Sequence, residues 1–447
     1  MLVPPLALAQ FVASYAATTM TVAVSVIATD LGTTVLGVQT AITLFTLTMA
    51  SLMVPGSKLT DFLGRKRCFL LGLLVYGVGA LLASAAQGTV TLILGYSLLQ
   101  GIGSALMIPP IYILVTVTSS DVATRARRFG VVSGAGALGA AAGPLIGGLI
   151  TTWLGWRASF LLQVVIVGLV VVLALRLVEP PEVPARTRFD VVGAVLSAAG
   201  LFFVVVGILQ MGTSLFWVFA GVGVAILYAF FAHIRTRERK GHEPLVSPAL
   251  FRDRTTRLGL ATQHVQWLVL QGSFFVIAVF LQQVRGYDAI HTGLMLTPAT
   301  VGILASSAAA GRMARRHSQR RLIRGGFVVA IAGLVLVLLL VRADSGVASA
   351  VPGLFLLGAG VGIMLTASVN LVQSRSPDAA QGDISGVSRS VSNLGSSVGT
   401  ALAGSVLAGV TRPGGTSFAL ALATLTLVAV VGLIAALLIP KPLPQAR

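Results

Sequence analysis

The stretch GALGAAAGPLIGG, from Gly136 to Gly148, lies inside a long apolar run and contains almost no bulky side chains. Its glycines recur every three or four residues, which places them on one face of an α-helix. A face without bulk lets a neighbouring helix approach closely, as small residues do in membrane-embedded bundles. The proline removes one backbone hydrogen bond, so we expect a bend there. The stretch predicts a helix seal and hinge made of Gly136, Gly139, Gly143, Pro144, Gly147 and Gly148.

The composition surrounding this stretch is that of an integral membrane protein. Of 447 residues, 56% are hydrophobic and only 10% are charged, whereas about a quarter of the residues of a soluble domain are charged. The 31 basic residues outnumber the 13 acidic ones, but they lie in short loops and form no continuous face, so we expect no nucleic-acid partner. The single Cys68 excludes an intrachain disulfide and a thiolate metal cluster.

Fourteen apolar runs of about 20 residues, between residues 6 and 439, predict fourteen membrane spans. The weakest is the thirteenth, 384–410, which is rich in Ser and Gly. With a cytoplasmic N-terminus, 27 of the 31 Lys and Arg residues fall in inner segments, as the positive-inside rule requires. We therefore expect a multi-pass protein of the inner cell membrane with both termini in the cytoplasm.

The two longest polar inserts divide the chain into six, two and six runs. The predicted parts are a six-helix bundle over 1–178, a linker with two helices and a cytoplasmic loop over 179–256, and a second six-helix bundle over 257–447. The basic segment GSKLTDFLGRKR (56–67) follows the second run, and GRMARRHSQRR (311–321) follows the second run of the last six. Such repeated halves are typical of transporters whose substrate lies between them, near the membrane midplane.

Five segments resemble motifs of one family, in matching order and in the matching loops and helices. They are LTDFLGRKR (59–67), LLQGIGSALMIPP (98–110), GALGAAAGPLIGG (136–148), FDVVGAVLSAAGLF (189–202) and EPLVSPALFRDR (243–254). The chain resembles the major facilitator superfamily, and within it the fourteen-helix drug:proton antiporter branch of the EmrB/QacA type. The resemblance implies an all-α membrane protein of that fold, with two six-helix bundles and two additional linker helices. It further implies a monomer that exports small amphipathic molecules, as multidrug or metabolite efflux, by alternating access.

The resemblance assigns a cytoplasmic gate to the loop after the second run, with Asp61, Gly64, Arg65, Lys66 and Arg67. A carboxylate there can accept hydrogen bonds from helix N-termini and guanidinium groups, which would hold the cytoplasmic ends together. The alternative is that the basic residues only set membrane orientation. For the glycine face, which the family associates with antiport, the alternative is ordinary helix packing with no role in coupling.

Two positions depart from the family pattern and put proton coupling in question. Ala16 stands where the branch has an aspartate, and Ser97 where the family has an arginine. The aligned sequence predicts no carboxylate within any span. Proton-coupled transport needs a membrane-embedded group that changes protonation, and His264 is the remaining candidate proton carrier. The alternative is that His264 only hydrogen-bonds a neighbouring backbone group or Gln.

The other polar residues within the spans are mostly uncharged. Because an unpaired amide in lipid is costly, they should face a central cavity or another helix. Such a cavity suits neutral or anionic amphipathic compounds better than cations, while interhelical hydrogen bonding is the alternative role. The candidates for the substrate cavity are Thr18, Thr21, Gln100, Gln163, Gln263, Gln266, Trp267, Gln271, Asn370 and Asn393.

Three function classes remain besides a coupled exporter. An enzyme is not expected, because the five histidines are dispersed and no acid accompanies His264; we likewise expect no metal and no cofactor. An uncoupled facilitator fits the missing acid. A transporter-fold protein without transport activity, acting as a sensor or assembly partner, fits the changes at Ala16 and Ser97.

Overall fold

The computed structural model describes residues 3–118, 122–176, 189–314, 316–340, 349–374, 381–409 and 415–440. Every regular element in these residues is a helix. Sixteen α-helices run in the order α1 (Val3–Thr19), α2 (Val24–Asp30), α3 (Val35–Leu63), α4 (Arg65–Ser84), α5 (Thr89–Leu92), α6 (Gly101–Val117), α7 (Val122–Leu154), α8 (Trp156–Leu175), α9 (Val191–Leu209), α10 (Leu215–Arg239), α11 (Arg254–Gln283), α12 (Ala289–Met313), α13 (Gln319–Leu340), α14 (Val351–Gln373), α15 (Gln381–Gly409) and α16 (Gly415–Leu437).

Short helical segments of other types join or precede some of these helices. Met20–Val22 is a 3₁₀ turn between α1 and α2, which are bent by 70° relative to each other. Ile93–Gln100 is a π-helical stretch between α5 and α6, so that one continuous helical path runs from Thr89 to Val117. Pro248–Phe251 is a 3₁₀ turn before α11.

The helix boundaries follow local backbone chemistry. Asp190, Asp253 and Asp288 each precede a helix and accept a hydrogen bond from the N–H three residues further on, which satisfies an N–H that has no partner within the helix. Gly64, with φ +93°, separates α3 from α4 and allows the chain to turn within a single residue. The predicted gate residues therefore lie at the end of α3, at Gly64 and at the start of α4.

Twelve helices of the described residues are long and apolar enough to cross a membrane, or thirteen if α1 and α2 form one bent span. The expected count of fourteen is therefore not supported on these criteria. The helix that does not qualify is α15, which is 29 residues long but rich in Ser and Gly, and carries Asp383 and Arg389. It packs between α3 and α11, so much of its surface is shielded from lipid and does not have to be apolar.

The helices form two bundles joined by a two-helix linker. Helices α1 to α8 pack on one another, and so do α11 to α16, while the two bundles meet where α3 packs on α15 and α7 packs on α12. The linker helices α9 and α10 pair with each other, and α9 lies against both α3 and α15. The linker therefore covers one of the two lines of contact between the bundles.

A buried carboxylate anchors this linker. The side chain of Asp190, 3% exposed, accepts hydrogen bonds from the backbone N–H groups of Gly193 (3.0 Å) and Leu245 (3.2 Å). It also lies 2.9 Å from Nε2 of His233 and 3.6 Å from Nε of Arg237 on α10. One side chain thus fixes the start of α9, the end of α10 and the loop that leads to α11.

Candidate functional site: a cavity between the two bundles

A cavity of about 2080 Å³ lies between the two bundles. Most of its wall is formed by α1, α3, α6 and α7 from the first bundle and by α11, α12, α14 and α15 from the second, and residues of α4, α10, α13 and the loop after α10 complete it. On α3, α12 and α14 the lining residues lie in the C-terminal part of the helix, and on α15 in the N-terminal part. The cavity therefore extends to the end of the bundle where α3 ends and α15 begins, which we call the open end.

At the opposite, closed end, side chains of α11 bond to the backbone of the first span. Nε2 of Gln271 donates to the carbonyl O of Ala17 at 3.0 Å. Further out, Nε2 of Gln282 donates to O of Val22 at 2.7 Å, and its Oε1 accepts from N of Ser25 at 3.0 Å. Val22 and Ser25 lie on either side of the break between α1 and α2, where helix ends expose backbone groups that need partners, and the amide of Gln282 bonds to both.

Helices α7 and α12 also meet at the closed end, through small residues. A Cβ on Gly148 would lie 2.5 Å from O of Ala289, so only glycine fits at this contact. Gly293 approaches O of Pro144 in the same way. Oγ1 of Thr300 donates to O of Ala141 at 2.8 Å, close to the roof of the cavity. The stretch from Gly136 to Gly148 is thus where α7 contacts the other bundle.

The remaining glycines of this stretch face their own bundle. Gly136, Gly139, Gly143 and Gly147 lie against α1, where an added Cβ would collide with Gln10, Phe11, Thr18 and Thr19, respectively. The stretch therefore makes two contacts. Its glycine face packs against α1, and Pro144 and Gly148 pack against α12. Helix α7 runs unbroken from Val122 to Leu154 through the proline.

Helices α3 and α15 stay together along their length, unlike α7 and α12. Nε2 of Gln39 donates to O of Thr400 at 2.7 Å near the closed end, and Oγ of Ser397 donates to O of Thr43 at 2.9 Å. At the open end, Nζ of Lys58 lies 2.8 Å from Oδ1 of Asp383. We call this line of contacts the α3–α15 seam. The outer side of the seam is covered by α9.

The structure places half of the cavity candidates on the cavity wall. Thr18, Trp267, Gln271, Asn370 and Asn393 line the cavity, whereas Thr21, Gln100, Gln163, Gln263 and Gln266 are buried elsewhere.

The buried candidates mostly connect helices. Within the first bundle, Oε1 of Gln163 accepts from the hydroxyl of Tyr76 at 2.5 Å and from Nε2 of Gln100 at 3.0 Å. Within the second bundle, Oγ of Ser388 donates to Oε1 of Gln263 at 2.7 Å. Oγ of Ser368 likewise donates to Oε1 of Gln266 at 3.2 Å. These amides tie α4, the π-helical stretch before α6 and α8 together in one bundle, and α11, α14 and α15 in the other.

The candidate proton carrier is not part of the cavity wall. His264 is partly buried between α11 and α15, and its Nδ1 lies 3.3 Å from O of Val391. Close packing around it extends to Gly395, which lies directly against O of His264. The contact is of the kind expected if His264 only bonds a backbone group.

Ala16 and Ser97, the two residues that depart from the family pattern, make ordinary packing and hydrogen-bond contacts with neighbouring helices. Ala16 is fully buried, and its carbonyl O accepts from the hydroxyl of Tyr96 at 3.1 Å. Oγ of Ser97 donates to O of Ala41 on α3 at 2.7 Å. In the described part of the chain, the carboxylates on the cavity wall are Glu238, Glu243 and Asp383, all at the open end.

The gate residues are only partly placed. Arg65 lines the mouth of the cavity, Nζ of Lys66 donates to O of Leu175 at 3.1 Å, and Arg67 is exposed. Gly64 forms the turn described above. The side chain of Asp61 lies outside the described part of the structure, so its hydrogen-bonding role stays a prediction.

Several lining residues were not singled out from the sequence. The polar ones include Gln10, Tyr112 and Arg389, and the apolar ones include Met49, Met53 and Phe274. The positive-inside rule assigns Arg389, near the start of the thirteenth apolar run, to a cytoplasmic segment, but it lies eight residues after the start of α15. The sequence signal for a polar helix here is the unusual polarity of SGVSRSVSNL (385–394) inside the thirteenth apolar run. Among the described residues, no group of three or more His, Cys, Asp or Glu could hold a metal ion.

Comparison with known proteins defines the class. A sequence model of the Major Facilitator Superfamily matches residues 6–400. The probable actinorhodin transporter of Streptomyces coelicolor is 31% identical over 405 residues, covering 88% of this chain and 70% of that protein. The puromycin resistance protein pur8 of Streptomyces alboniger is 29% identical, covering 88% and 79%. The multidrug efflux pump LfrA of Mycolicibacterium smegmatis is 28% identical, covering 81% and 71%.

A solved structure shares the fold. The crystal structure of a point mutant of the nucleoside transporter NupG superposes with a TM-score of 0.66 over 99% of this chain and 100% of that chain, at 13% identity. The chain belongs to the Major Facilitator Superfamily. The family resemblance and the expectation of a multi-pass membrane transporter are thereby confirmed, and its relatives include exporters of antibiotics and other drugs.

Proposed function

We propose that this protein exports small amphipathic molecules across the inner cell membrane by alternating access, with α1–α8 rocking against α11–α16. The observation that carries the proposal is the cavity between the bundles, which is open at one end and closed at the other by hydrogen bonds between them. A site reached from one side only is the geometry that alternating access requires.

The open end is assigned to the cytoplasm. Lys58 and Arg65 lie there, as does the end of α10, where Arg235, Arg237, Arg239 and the following Lys240 are clustered. The positive-inside rule favours that side, and both termini then lie in the cytoplasm. This inward-open conformation receives substrate from inside the cell, as an exporter must.

We further propose that α15 and the bent α1–α2 pair both cross the membrane, which gives the fourteen spans of the EmrB/QacA branch. A helix of 29 residues is about 43 Å long, more than the roughly 30 Å of a hydrocarbon core. Its polar side chains point to neighbours that accept their hydrogen bonds, as in Ser397 to Thr43. The working unit in this proposal is a monomer, because the cavity is complete within one chain.

The helix 5 stretch is proposed as the seal of the closed state. Gly148 against Ala289, and Gly293 against Pro144, bring two backbones into contact between the bundles. Transport then requires this contact to separate when the outer side opens. The segment from Asp61 to Arg67, which joins α3 to α4, is the proposed latch of the opposite end, and it engages when the open end closes.

Proton coupling is the open part of the mechanism. Among the described residues, the middle of the cavity holds no carboxylate, and Ala16 and Ser97 replace the groups that the branch uses. In a coupled exporter, His264 would carry the proton, although it lies behind the cavity wall. The second candidate function is therefore an uncoupled facilitator with the same cavity.

The proposed substrates are antibiotic-like compounds with an apolar body, since the relatives carry such names and Met49, Met53, Trp267 and Phe274 line the cavity. The test is accumulation of a panel of labelled antibiotics in cells that lack their own efflux pumps. Cells producing the protein should accumulate less of at least one compound than cells producing Gly148→Trp, which cannot form the α7–α12 contact. Equal accumulation across a broad panel contradicts export and favours the transport-inactive partner protein.

A further inference from the structure

We propose that Arg389 forms an anion-binding subsite in the cavity and selects substrates that carry a carboxylate or a similar acidic group on an apolar body. This inference rests on the proposed export function, and it specifies the substrate class.

Arg389 lies on the cavity wall about 12 Å from the start of α15. Its guanidinium lies over the ring of Tyr112 on α6, with Cζ 4.6 Å from the ring centroid, and its Nη2 donates to the tyrosine hydroxyl. That hydroxyl donates to Oε1 of Gln10 on α1 at 3.2 Å, and Nε2 of Gln10 donates to Oγ of Ser14 at 3.2 Å. All four side chains line the cavity, so Arg389 is held by contacts from the opposite bundle.

The positive charge of Arg389 is not neutralised by any described carboxylate. No Asp or Glu oxygen of the described residues lies within 4 Å of its side-chain nitrogens. The nearest acid along the same helix, Asp383, is paired with Lys58 at 2.8 Å. A charged group at membrane depth is costly unless it is paired, which makes such a group a functional candidate by default. The missing partner is an anion that arrives with the substrate.

The chemistry of the guanidinium defines that anion. It has five N–H donors in a planar fork that matches the two oxygens of a carboxylate, and Tyr112 is the one described protein acceptor that it uses. Charge-assisted hydrogen bonds of this kind are about twice as strong as neutral ones. Met49, Met53 and Trp267 line the same cavity and provide apolar surface for the rest of a flat organic acid.

The test compares two probes of the same shape, anthraquinone-2-carboxylate and the neutral anthraquinone-2-carboxamide. Binding to the purified full-length protein in detergent is measured by calorimetry for wild type, Arg389→Gln, Arg389→Lys and the control Arg252→Gln. The control Arg252→Gln removes the same charge from a side chain that is 78% exposed and is not part of the cavity wall. Its pairing with Glu238 at the open end, at 3.8 Å, is a surface contact of little energy.

We expect Arg389→Gln to weaken carboxylate binding at least about tenfold and to leave carboxamide binding unchanged. Arg389→Lys should retain part of the preference, because it keeps the charge but not the fork. Arg252→Gln should behave as wild type. Unchanged carboxamide binding also shows that the variant is folded.

Three results would overturn the subsite. They are equal loss of both probes in Arg389→Gln, unchanged carboxylate binding in that variant, and a wild type that binds neither probe or both equally. Export is tested separately by flux of the same probes in proteoliposomes. Selective binding without flux would remove the export function and keep the subsite; flux of both probes alike would keep export and remove the subsite.

Discussion

Gln282 of α11 donates its side-chain N–H to the carbonyl O of Val22 at 2.7 Å, and so closes the break in the first span from the opposite bundle. The same amide accepts from N of Ser25 on the other side of the break. The break in the first span of one bundle is thus bridged by hydrogen bonds from a side chain of the other bundle. The bond must be released for the closed end to open.

Gln282→Ala should shift the protein towards a form that is open at the closed end, because two backbone groups lose their partner there. The measurement is a spin–spin distance between labels at Gln87 and Thr416, both exposed, in a Cys68→Ser background. Gln282→Ala should add longer distances. Gln283→Ala, at the exposed neighbouring amide, is the matched control and should not. Identical distributions for both variants would show that Gln282 does not hold the seal.

Gly148→Ala should impair transport by crowding the contact between α7 and α12. The added Cβ would lie 2.5 Å from O of Ala289, and overpacking of this kind costs about 1–3 kcal/mol. That cost falls on the state closed at this end, so the export rate should drop by about tenfold or more. Gly168→Ala on α8, where nothing lies within 4 Å of the added Cβ, should export at the wild-type rate. If Gly148→Ala exports as fast as Gly168→Ala, close packing at Gly148 is not required for transport.

Charge reversal should test the α3–α15 seam. Lys58 and Asp383 are each about a quarter exposed, so their pairing is worth at most about 1 kcal/mol. Lys58→Asp places two carboxylates together and should slow export, while the double variant Lys58→Asp with Asp383→Lys should restore most of the rate. Export that stays slow in the double variant would mean that these residues matter individually and not as a pair.

The linker anchor gives a prediction with a defined pH dependence. Burial alone would raise the pKa of Asp190, but hydrogen bonds from Gly193, His233 and Leu245 outweigh it and lower the pKa below the usual value. A carboxyl group with a lowered pKa stabilises the folded state above its unfolded pKa, near 4, and this stabilisation is lost as the pH falls through the folded-state pKa.

Asp190→Asn should therefore lower the thermal unfolding temperature at pH 7, corresponding to about 1–3 kcal/mol, and the difference should shrink below pH 4. Intrinsic tryptophan fluorescence during heating measures it. Asp288→Asn is the control, since that cap carboxylate is 47% exposed and should contribute less. A difference that stays constant between pH 7 and pH 3 would exclude the charge of Asp190 as its cause.

The sequence was sufficient for the all-helical membrane fold, because hydropathy and loop charge are properties of whole segments. It was less informative about which polar residues reach the cavity. Gln266 and Trp267 are adjacent in sequence, yet the tryptophan lines the cavity and the glutamine bonds Ser368 behind it. Adjacent helical residues point about 100° apart, and a hydropathy pattern without a reference face does not distinguish them.

The same limit explains the misplacement of Arg389. The positive-inside rule places its charge in a cytoplasmic segment, since a basic residue is expected near the end of a span. Helix α15, however, begins at Gln381 and is covered by α3 and α11. Because these helices shield it from lipid, it can be polar at a depth where a lipid-exposed helix could not. Tertiary burial, which a single sequence does not reveal, decides both cases.

The most direct test of the central claim is substrate flux in proteoliposomes of defined orientation, with and without an imposed proton gradient. Alternating-access export predicts saturable, directional flux of at least one amphipathic compound and its loss in Gly148→Trp. Dependence on the gradient, removed by His264→Ala, would assign the coupling to that residue, whereas flux independent of the gradient would identify a facilitator. The absence of saturable flux for every compound of a broad panel would contradict the account.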